Sequence, residues 1–307
     1  TSSFGKDGEV IMLRIKVPAT SANLGPGFDT FGLALNLFNI FYVEKAEEVL
    51  LENVEEEFRN ENNTFVVAYT KTLAICGKKA GIHVKFDTKI PISRGLGSSS
   101  SLVVAGVLAA NSLHHLQLSV QEMLKICVEI EGHPDNVAPC LLGGFVTSLL
   151  DKNSIYTQKI DVHPKFHFSV FIPDFEVKTS EARRVLPEKI SLQDSVFTLS
   201  RAVFLCFALQ RGEEENLHVF FQDKIHEPHR KKLIPDYEDL QKEVMRKGAL
   251  AFMISGSGST CLAVSLEENF SKNLNLSGMK AKWRAMDCRL HSEGAEVIEI
   301  EFKNQKK

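Results

Sequence analysis

The sequence has no basic surplus. Lys and Arg number 36 against 39 Asp and Glu, a net charge of −3, and the basic residues gather on no single stretch. This excludes the electrostatic footprint of a nucleic-acid-binding surface and offers no polybasic anchor for a membrane. Long apolar runs are missing too. None reaches the roughly 18 residues needed to span a bilayer, so no membrane segment is expected. The first ten residues are polar, without the apolar stretch of a secretory signal. Cysteine is sparse: six residues, at 76, 127, 140, 206, 261 and 288, and no CxxC pair. That argues against a disulfide framework and against a zinc site. Several lie inside apolar runs, such as Ile126-Cys127-Val128, and read as buried thiols of a reducing, cytoplasmic compartment. Internal repeats and low-complexity tracts are absent. The densest charge run, Glu44 to Glu57, is acidic and reads as a solvated hairpin face.

What is present is a globular composition over 307 residues, 44% hydrophobic and 24% charged, enough for one large domain or two moderate ones. The chain is organised around Pro91 to Asn111. Pro91 and Gly95 form a turn, Gly-Leu-Gly-Ser-Ser-Ser-Ser follows, and an apolar run from Leu102 to Ala110 comes directly behind. Glycines let a backbone approach a ligand closely, serines cap helices, and a run apolar on all sides reads as a buried helix. A Gly/Ser loop feeding such a helix presents free N–H groups and the positive end of the dipole. It is a cradle for phosphate. No Lys follows Gly97, so this is no Walker A loop. The third Gly of a dinucleotide fingerprint is also missing.

Two further pieces have the same character. Ala19 to Asp29, Ala-Thr-Ser-Ala-Asn-Leu-Gly-Pro-Gly-Phe-Asp, follows a strand that alternates from Leu13 to Val17. It reads as a tight loop headed by Asn23 and Asp29. Ser255 to Thr260, Ser-Gly-Ser-Gly-Ser-Thr, joins two strands. Between them, Glu129, Glu131, His133, Asp135 and Asn136 crowd around the end of a helix that Ser119 and Glu122 open as a capping box. So dense a cluster of ionisable groups favours a site. One His without Cys partners does not make a zinc centre; oxygen donors suit Mg²⁺. Strands and helices alternate in both halves, as in an α+β or α/β protein. The boundary falls near residue 160. Residues 1–11, ahead of Met12, are left out of the fold as a short extension. The long apolar helix is expected over 195–210, a basic linker over 226–235, a final helix near 268–287 and a closing strand over 296–302.

Pro91-x-x-x-Gly-Leu-Gly-Ser-Ser resembles the phosphate motif of the GHMP kinases, the family of galactokinase, homoserine kinase, mevalonate kinase and phosphomevalonate kinase. Three Gly/Ser pieces in this order match that family from Met12 onward. Within it, Val17-Pro-Ala-Thr-Ser-Ala-Asn-Leu-Gly-Pro-Gly-Phe-Asp29 is similar to the homoserine-phosphorylating branch. So are Glu131-Gly-His-Pro-Asp-Asn-Val-Ala-Pro139, Ala182-Arg-Arg-Val-Leu-Pro187 and His226-Glu-x-x-Arg-x-x-Leu-Ile-Pro235. Thr20 and Ser21 stand where the mevalonate and galactose branches carry an early Lys or Arg. Ser259 replaces a commoner Pro or Ala, and Ser100-Ser101 a frequent Ala.

The resemblance implies a two-domain α+β GHMP kinase fold. Residues 12–160 would form a domain like ribosomal protein S5 domain 2, and 161–307 a ferredoxin-like domain, with the site between them. It implies ATP and Mg²⁺ as cofactors and L-homoserine as the small-molecule substrate, phosphorylated on the way to threonine. A homodimer is the family expectation. Pro91, Ile92, Ser93, Arg94, Gly95, Leu96, Gly97, Ser98, Ser99, Ser100 and Ser101 would wrap the ATP phosphates, with Asn63 at the adenine. Ser99 and Glu131 would hold the metal, with Glu129 as the fallback. Asn23, Asp29, His133 and Asp135 would face the amino and hydroxyl end of the substrate. Arg183 and Arg230 would grip its carboxylate, as the guanidinium fork suits. Asn136 would sit at the reacting hydroxyl. The catalytic set is thus Asn136, Asp135 and Glu131, with Asp135 the only candidate base. The alternatives are a mevalonate-type or diphosphocytidyl-methylerythritol kinase, and a non-catalytic GHMP-fold binding protein.

Overall fold

Alternation makes the first strand: Leu13, Ile15 and Val17 are buried while Arg14 and Lys16 are partly exposed. The computed structural model describes residues 10–152 and 154–302. In its first half, strands β1 (Val10–Ala22), β2 (Phe31–Ala46) and β3 (Val49–Glu52) precede α1 (Thr64–Ile75) and β4 (Gly81–Asp87). Helices α2 (Ser98–Leu113), α3 (Val120–Glu131) and α4 (Pro134–Leu142) follow, then β5 (Phe145–Asp151) and β6 (Ser154–Ile160). The second half holds β7 (His167–Pro173), α5 (Thr179–Arg184), α6 (Leu192–Arg211), α7 (Leu217–Phe220), α8 (Glu227–Arg230) and α9 (Tyr237–Arg246). It closes with β8 (Ala251–Ile254), β9 (Cys261–Ser265), β10 (Trp283–Cys288) and β11 (Glu296–Phe302).

One sheet runs in the order β11-β1-β2-β4-β3, with the β5–β6 hairpin branching from β2. Helices α1 to α4 bury its core side, where Phe41, Phe65, Val103, Val107, Cys127 and Val137 meet. The second sheet is ordered β10-β7-β9-β8 and is antiparallel throughout. Taken in chain order its strands read 4-1-3-2, the expected ferredoxin-like arrangement. One face packs on α9 through Phe171, Leu240 and Phe252. The other, through Phe168, Val170 and Leu262, shares a core with Leu33 and Phe145 of the first sheet and Leu205 of α6. A common apolar core therefore sets the two halves against each other.

Several expectations need correction. Strand β11 pairs with β1, from Val10↔Phe302 to Lys16↔Glu296, so the last strand belongs to the first sheet and not to a 161–307 unit. The same pairing draws Val10 and Ile11, assigned above to an extension, into the sheet; residues 1–9 lie outside the described ones. The helix expected near 268–287 is a single 3-10 turn, Phe270–Asn273, followed by β10. An Asn275 turn accepting the Ser277 N–H, and Gly278 at φ 93°, interrupt any helical run there. The acidic stretch is not a hairpin: β3 pairs in parallel with β4, and His83 lies between Glu44 and Glu52. Finally, α6 is long and apolar enough to cross a membrane, against the expectation that no segment would be. Its inner face carries Thr198, Leu205, Ala208 and Leu209 into the core, whereas Val196, Leu199, Val203 and Phe207 are exposed.

Candidate active site

Three loops meet above the shared core and line a cleft of about 490 Å³. The first leaves β1 at Ala22, the second runs from Ile90 into α2, and the third joins β8 to β9. Their contacts are close. Gly256 N–H donates to Ala22 O at 3.0 Å, Thr260 N–H to Arg94 O at 3.1 Å, and Thr20 N–H to Leu96 O at 3.1 Å. The Ser255 hydroxyl lies 2.6 Å from Gly95 O and 2.8 Å from the Ser21 hydroxyl. Two glycines make this approach possible. Gly95 and Gly97 both have φ near 70°, at 73° and 69°, a region closed to most side chains. A Cβ on Gly95 would fall 2.2 Å from Ser255 O, and one on Gly97 2.0 Å from Thr20 Oγ1.

Gly97 takes the N-cap position of α2. The N–H groups of Ser98, Ser99 and Ser100 therefore have no helical acceptor and face the cleft, where the dipole adds its positive end. Of the residues assigned to the phosphate loop, Ile92, Ser93, Arg94, Gly95, Gly97, Ser98, Ser99 and Ser100 line the cleft. Pro91, Leu96 and Ser101 do not. Leu96 is buried in the shared core. Ser101 is fully buried and accepts from Asn39 Nδ2 while donating to Ser98 O. One turn into a helix the side chains have already rotated inward. The Arg94 guanidinium spans Pro173 O and Asp174 O, tying this loop to the end of β7.

Helix α3 ends at Gly132 in a left-handed cap and sends Glu131 back over the start of α2. Its carboxylate accepts from Ser99 Oγ at 3.1 Å and from Ser100 Oγ at 2.8 Å. Glu129 is exposed and off the cleft. A hydroxyl and a carboxylate beside a phosphate cradle form the donor set Mg²⁺ takes when substrate phosphates complete its shell. Among the described residues there is no cluster of three His, Cys, Asp or Glu that could hold a metal without such help.

Pro134 at the first helical position starts α4, as its fixed φ favours. The first turn then points Asp135 and Asn136 into the cleft. His133 Nδ1 and Asp135 Oδ1 lie 2.6 Å apart. Burial works against a charge on His133, yet the hydrogen bond and charge of Asp135 outweigh it, and its pKa is raised above 6.5. On the opposite wall Arg183 of α5 forms a two-bond fork with Asp29, at 2.9 and 3.0 Å. That hydrogen bonding raises the Arg183 pKa further.

Arg230 is 2% exposed. It donates to Gly256 O at 2.9 Å and to Ala182 O at 3.3 Å. Burial, then the nearby Arg183 charge, lower its pKa to about 10, so it stays positive at neutral pH. The segment expected to be a basic linker is in fact the short helix that carries it. Asp223 gathers the N–H groups of Ile225, His226 and Glu227 to start that helix. His226 is fully buried against Gly25 O, and burial lowers its pKa. Phe28 stacks on His226 and lies under both arginines, a contact the sequence reading missed.

Two residues expected to contact ligands, Asn23 and Asn63, line the cleft and also hold its framework. Asn23 Oδ1 accepts the Asp29 N–H and its Nδ2 donates to Gly256 O, so this buried amide ties the first loop to the third. Asn63 lines the cleft but caps α1, accepting the Phe65 N–H and donating to Phe58 O.

Glu227 provides a test of this framework. Burial pushes its carboxyl up from 4.5 to about 8, while the Ile254 N–H it accepts pulls the other way. The folded state then holds a proton that the unfolded state releases. Its contribution to stability is complete below 4.5 and is lost as pH rises through about 8. Thermal melts should show wild type losing ground to Glu227→Gln as pH rises from 4.5 to about 8, and parallel curves would refute the buried protonated carboxyl.

Known proteins are similar to this chain. The family model described as "GHMP kinases N terminal domain" matches residues 63–144, and that described as "GHMP kinases C terminal" matches 208–274. The homoserine kinase of Clostridium acetobutylicum is 41% identical over 296 residues, covering 94% of this chain and 100% of that one. That of Clostridium beijerinckii is 42% identical over 299 residues, covering 94% and 99%. Among solved structures, the homoserine kinase of Cytophaga hutchinsonii superposes with a TM-score of 0.84 at 27% identity, covering 97% of this chain and 100% of that one. The mevalonate kinase of Methanococcus jannaschii, at 18% identity and a TM-score of 0.66 over 93% and 99%, shares the fold alone. With its full-length match to these relatives and its loops closed around one cleft, the chain belongs to the GHMP kinase family, in its homoserine kinase branch.

Proposed function

We propose that the protein transfers the γ-phosphoryl group of ATP to the hydroxyl of L-homoserine, giving O-phospho-L-homoserine for threonine biosynthesis. One observation in this structure carries the substrate reading. Asp29 and Arg183 pair with opposite charges on the cleft wall, with Asp135 and Arg230 also facing in. This is the charge complement of an amino acid. Arg183 and Arg230 would take the carboxylate, and Asp29 and Asp135 the ammonium. A mevalonate-type alcohol brings no ammonium for those carboxylates. The ATP phosphates would lie on residues 92–100, held by the loop and the first N–H groups of α2. Ser99 and Glu131 would hold Mg²⁺, which supplies charge neutralisation of the phosphates. The six free thiols support a reducing compartment and thus a cytoplasmic location.

Phosphoryl transfer needs positioning and charge neutralisation more than covalent help. The homoserine oxygen attacks the γ-phosphorus in line, the bond to the bridging oxygen breaks, and ADP leaves. We assign the hydroxyl proton to a phosphoryl oxygen, because Asp135 is engaged with His133 and the substrate ammonium. The test is ADP release with Mg-ATP and L-homoserine, mevalonate, galactose or L-threonine. Turnover is expected with homoserine alone. Arg183→Ala should raise the homoserine KM about 10- to 100-fold, the value of one or two hydrogen bonds to a charged group, with kcat within a few-fold. Turnover on another alcohol would discard the substrate residues.

A further inference from the structure

We propose that Thr20 is a positioning residue that sets the amide of Asn136 with Nδ2 toward the transferring phosphoryl group, so that Asn136 acts in transfer as a hydrogen-bond donor. The proposal rests on the phosphotransfer reading given above.

Thr20 lies near the end of strand β1 and is completely buried. Its hydroxyl donates to Asn136 Oδ1 at 2.8 Å, across 116 positions of chain. Its backbone N–H is bound to Leu96 O of the phosphate loop. The hydroxyl is thus wedged between that loop and the first turn of α4. The missing Cβ of Gly97 leaves room for it, since a Cβ there would come within 2.0 Å of Thr20 Oγ1.

An amide has one accepting and one donating end. Once Oδ1 is taken by Thr20, Nδ2 is turned to the other side. Asn136 lines the cleft, and among the described residues no protein group accepts a hydrogen bond from its Nδ2. Two N–H bonds aimed at the place where phosphoryl oxygens gather charge stabilise a transition state more than a ground state. An amide nitrogen cannot take up the hydroxyl proton, so this orientation also removes Asn136 as a proton acceptor. The Thr20 hydroxyl reaches the phosphoryl group only through the amide it orients.

The experiment compares wild type, Thr20→Val, Thr20→Ser, Asn136→Ala and Asn136→Asp by steady-state kinetics with Mg-ATP and homoserine. Thr20→Val keeps the shape and loses the donor. It should lower kcat about 10- to 100-fold while both KM values stay within threefold, and Thr20→Ser should restore kcat to within threefold of wild type. A Val variant with wild-type kcat, or one whose loss lies in KM, overturns the proposal, as does failure of Ser to rescue. Asn136→Asp decides the matter even if Thr20→Val does not fold. It retains the acceptor for Thr20 and replaces the donor by a carboxylate oxygen, so its kcat should fall below that of Asn136→Ala. A kcat equal to or above that of the Ala variant overturns the donor assignment. Absence of homoserine turnover by wild type is a distinct result: it overturns the substrate reading itself, and the proposal falls with it.

Discussion

Asp135→Asn is expected to lower kcat/KM for homoserine about 10²- to 10³-fold, leaving the KM for ATP within about threefold. The carboxylate is 2% exposed and holds His133 at 2.6 Å. The substitution keeps its shape and removes its charge. Breaking a buried charge pair costs about 3–5 kcal/mol, and each 1.4 kcal/mol or so is a factor of ten. Under the proposed function the cost would be shared between His133 and the substrate ammonium. The same variant should move His133 in a defined direction. Once the hydrogen bond and charge of Asp135 are lost, burial, the largest influence, and the Arg183 charge both lower its pKa, and only the Glu131 charge still raises it. The histidine should therefore titrate below 6.5 in the variant and above it in wild type, as NMR of the ring would show. The sign for stability follows. In wild type the raised pKa contributes stability that is complete below 6.5 and fades as pH rises through the folded value; in the variant that contribution reverses. Unchanged kcat/KM would remove Asp135 from the site.

Gly95→Ala should damage both stability and the site. The new methyl carbon would sit 2.2 Å from Ser255 O and 2.8 Å from Gly258 O, both backbone atoms, at a φ of 73°. The loops cannot yield by rotating a side chain, so they must separate. Left-handed backbone costs about 1–2 kcal/mol and overpacking about 1–3 kcal/mol. Together they predict a clear fall in melting temperature. Because the second and third loops form one surface, the KM for ATP should rise with it. Gly77→Ala is the control: its φ is 66° but nothing lies within 4 Å of the added carbon. It should show the backbone cost alone and leave the KM for ATP unchanged. If both variants melt together and bind ATP as wild type does, the contact between the loops has no bearing on the site.

Much of the site was legible because its signals are local. Gly95, Gly97 and the serines announce a loop that opens a buried helix. Ser119 and Glu122 announce the start of α3 and Gly132 its end, which leaves Glu131 beside the cradle. The cluster 131–136 is contiguous, and one helix turn delivers it to the cleft. What stayed illegible shares an origin. Asn23 and Asn63 line the cleft, but the backbone oxygens their amides also tie, those of Gly256 and Phe58, are set by packing and not by local sequence. Ser101 belongs to the serine run by sequence and to the core by rotation.

The sequence by itself determined the groups at hand: a Gly/Ser loop that opens a helix, clustered hydroxyl and carboxylate oxygens, and side chains of both charges. It could do so because caps, glycine conformations and apolar periodicity act over a few residues. Tertiary structure alone decided which of these groups face the cleft. Thr20 reaches Asn136 across 116 positions, Arg183 reaches Asp29 across 154, and Asn23 reaches Gly256 across 233. It also sent β11 back to β1 and buried Arg230 beside Gly256. Contacts over such separations arise from the packing of two sheets on one core, and no local propensity encodes them.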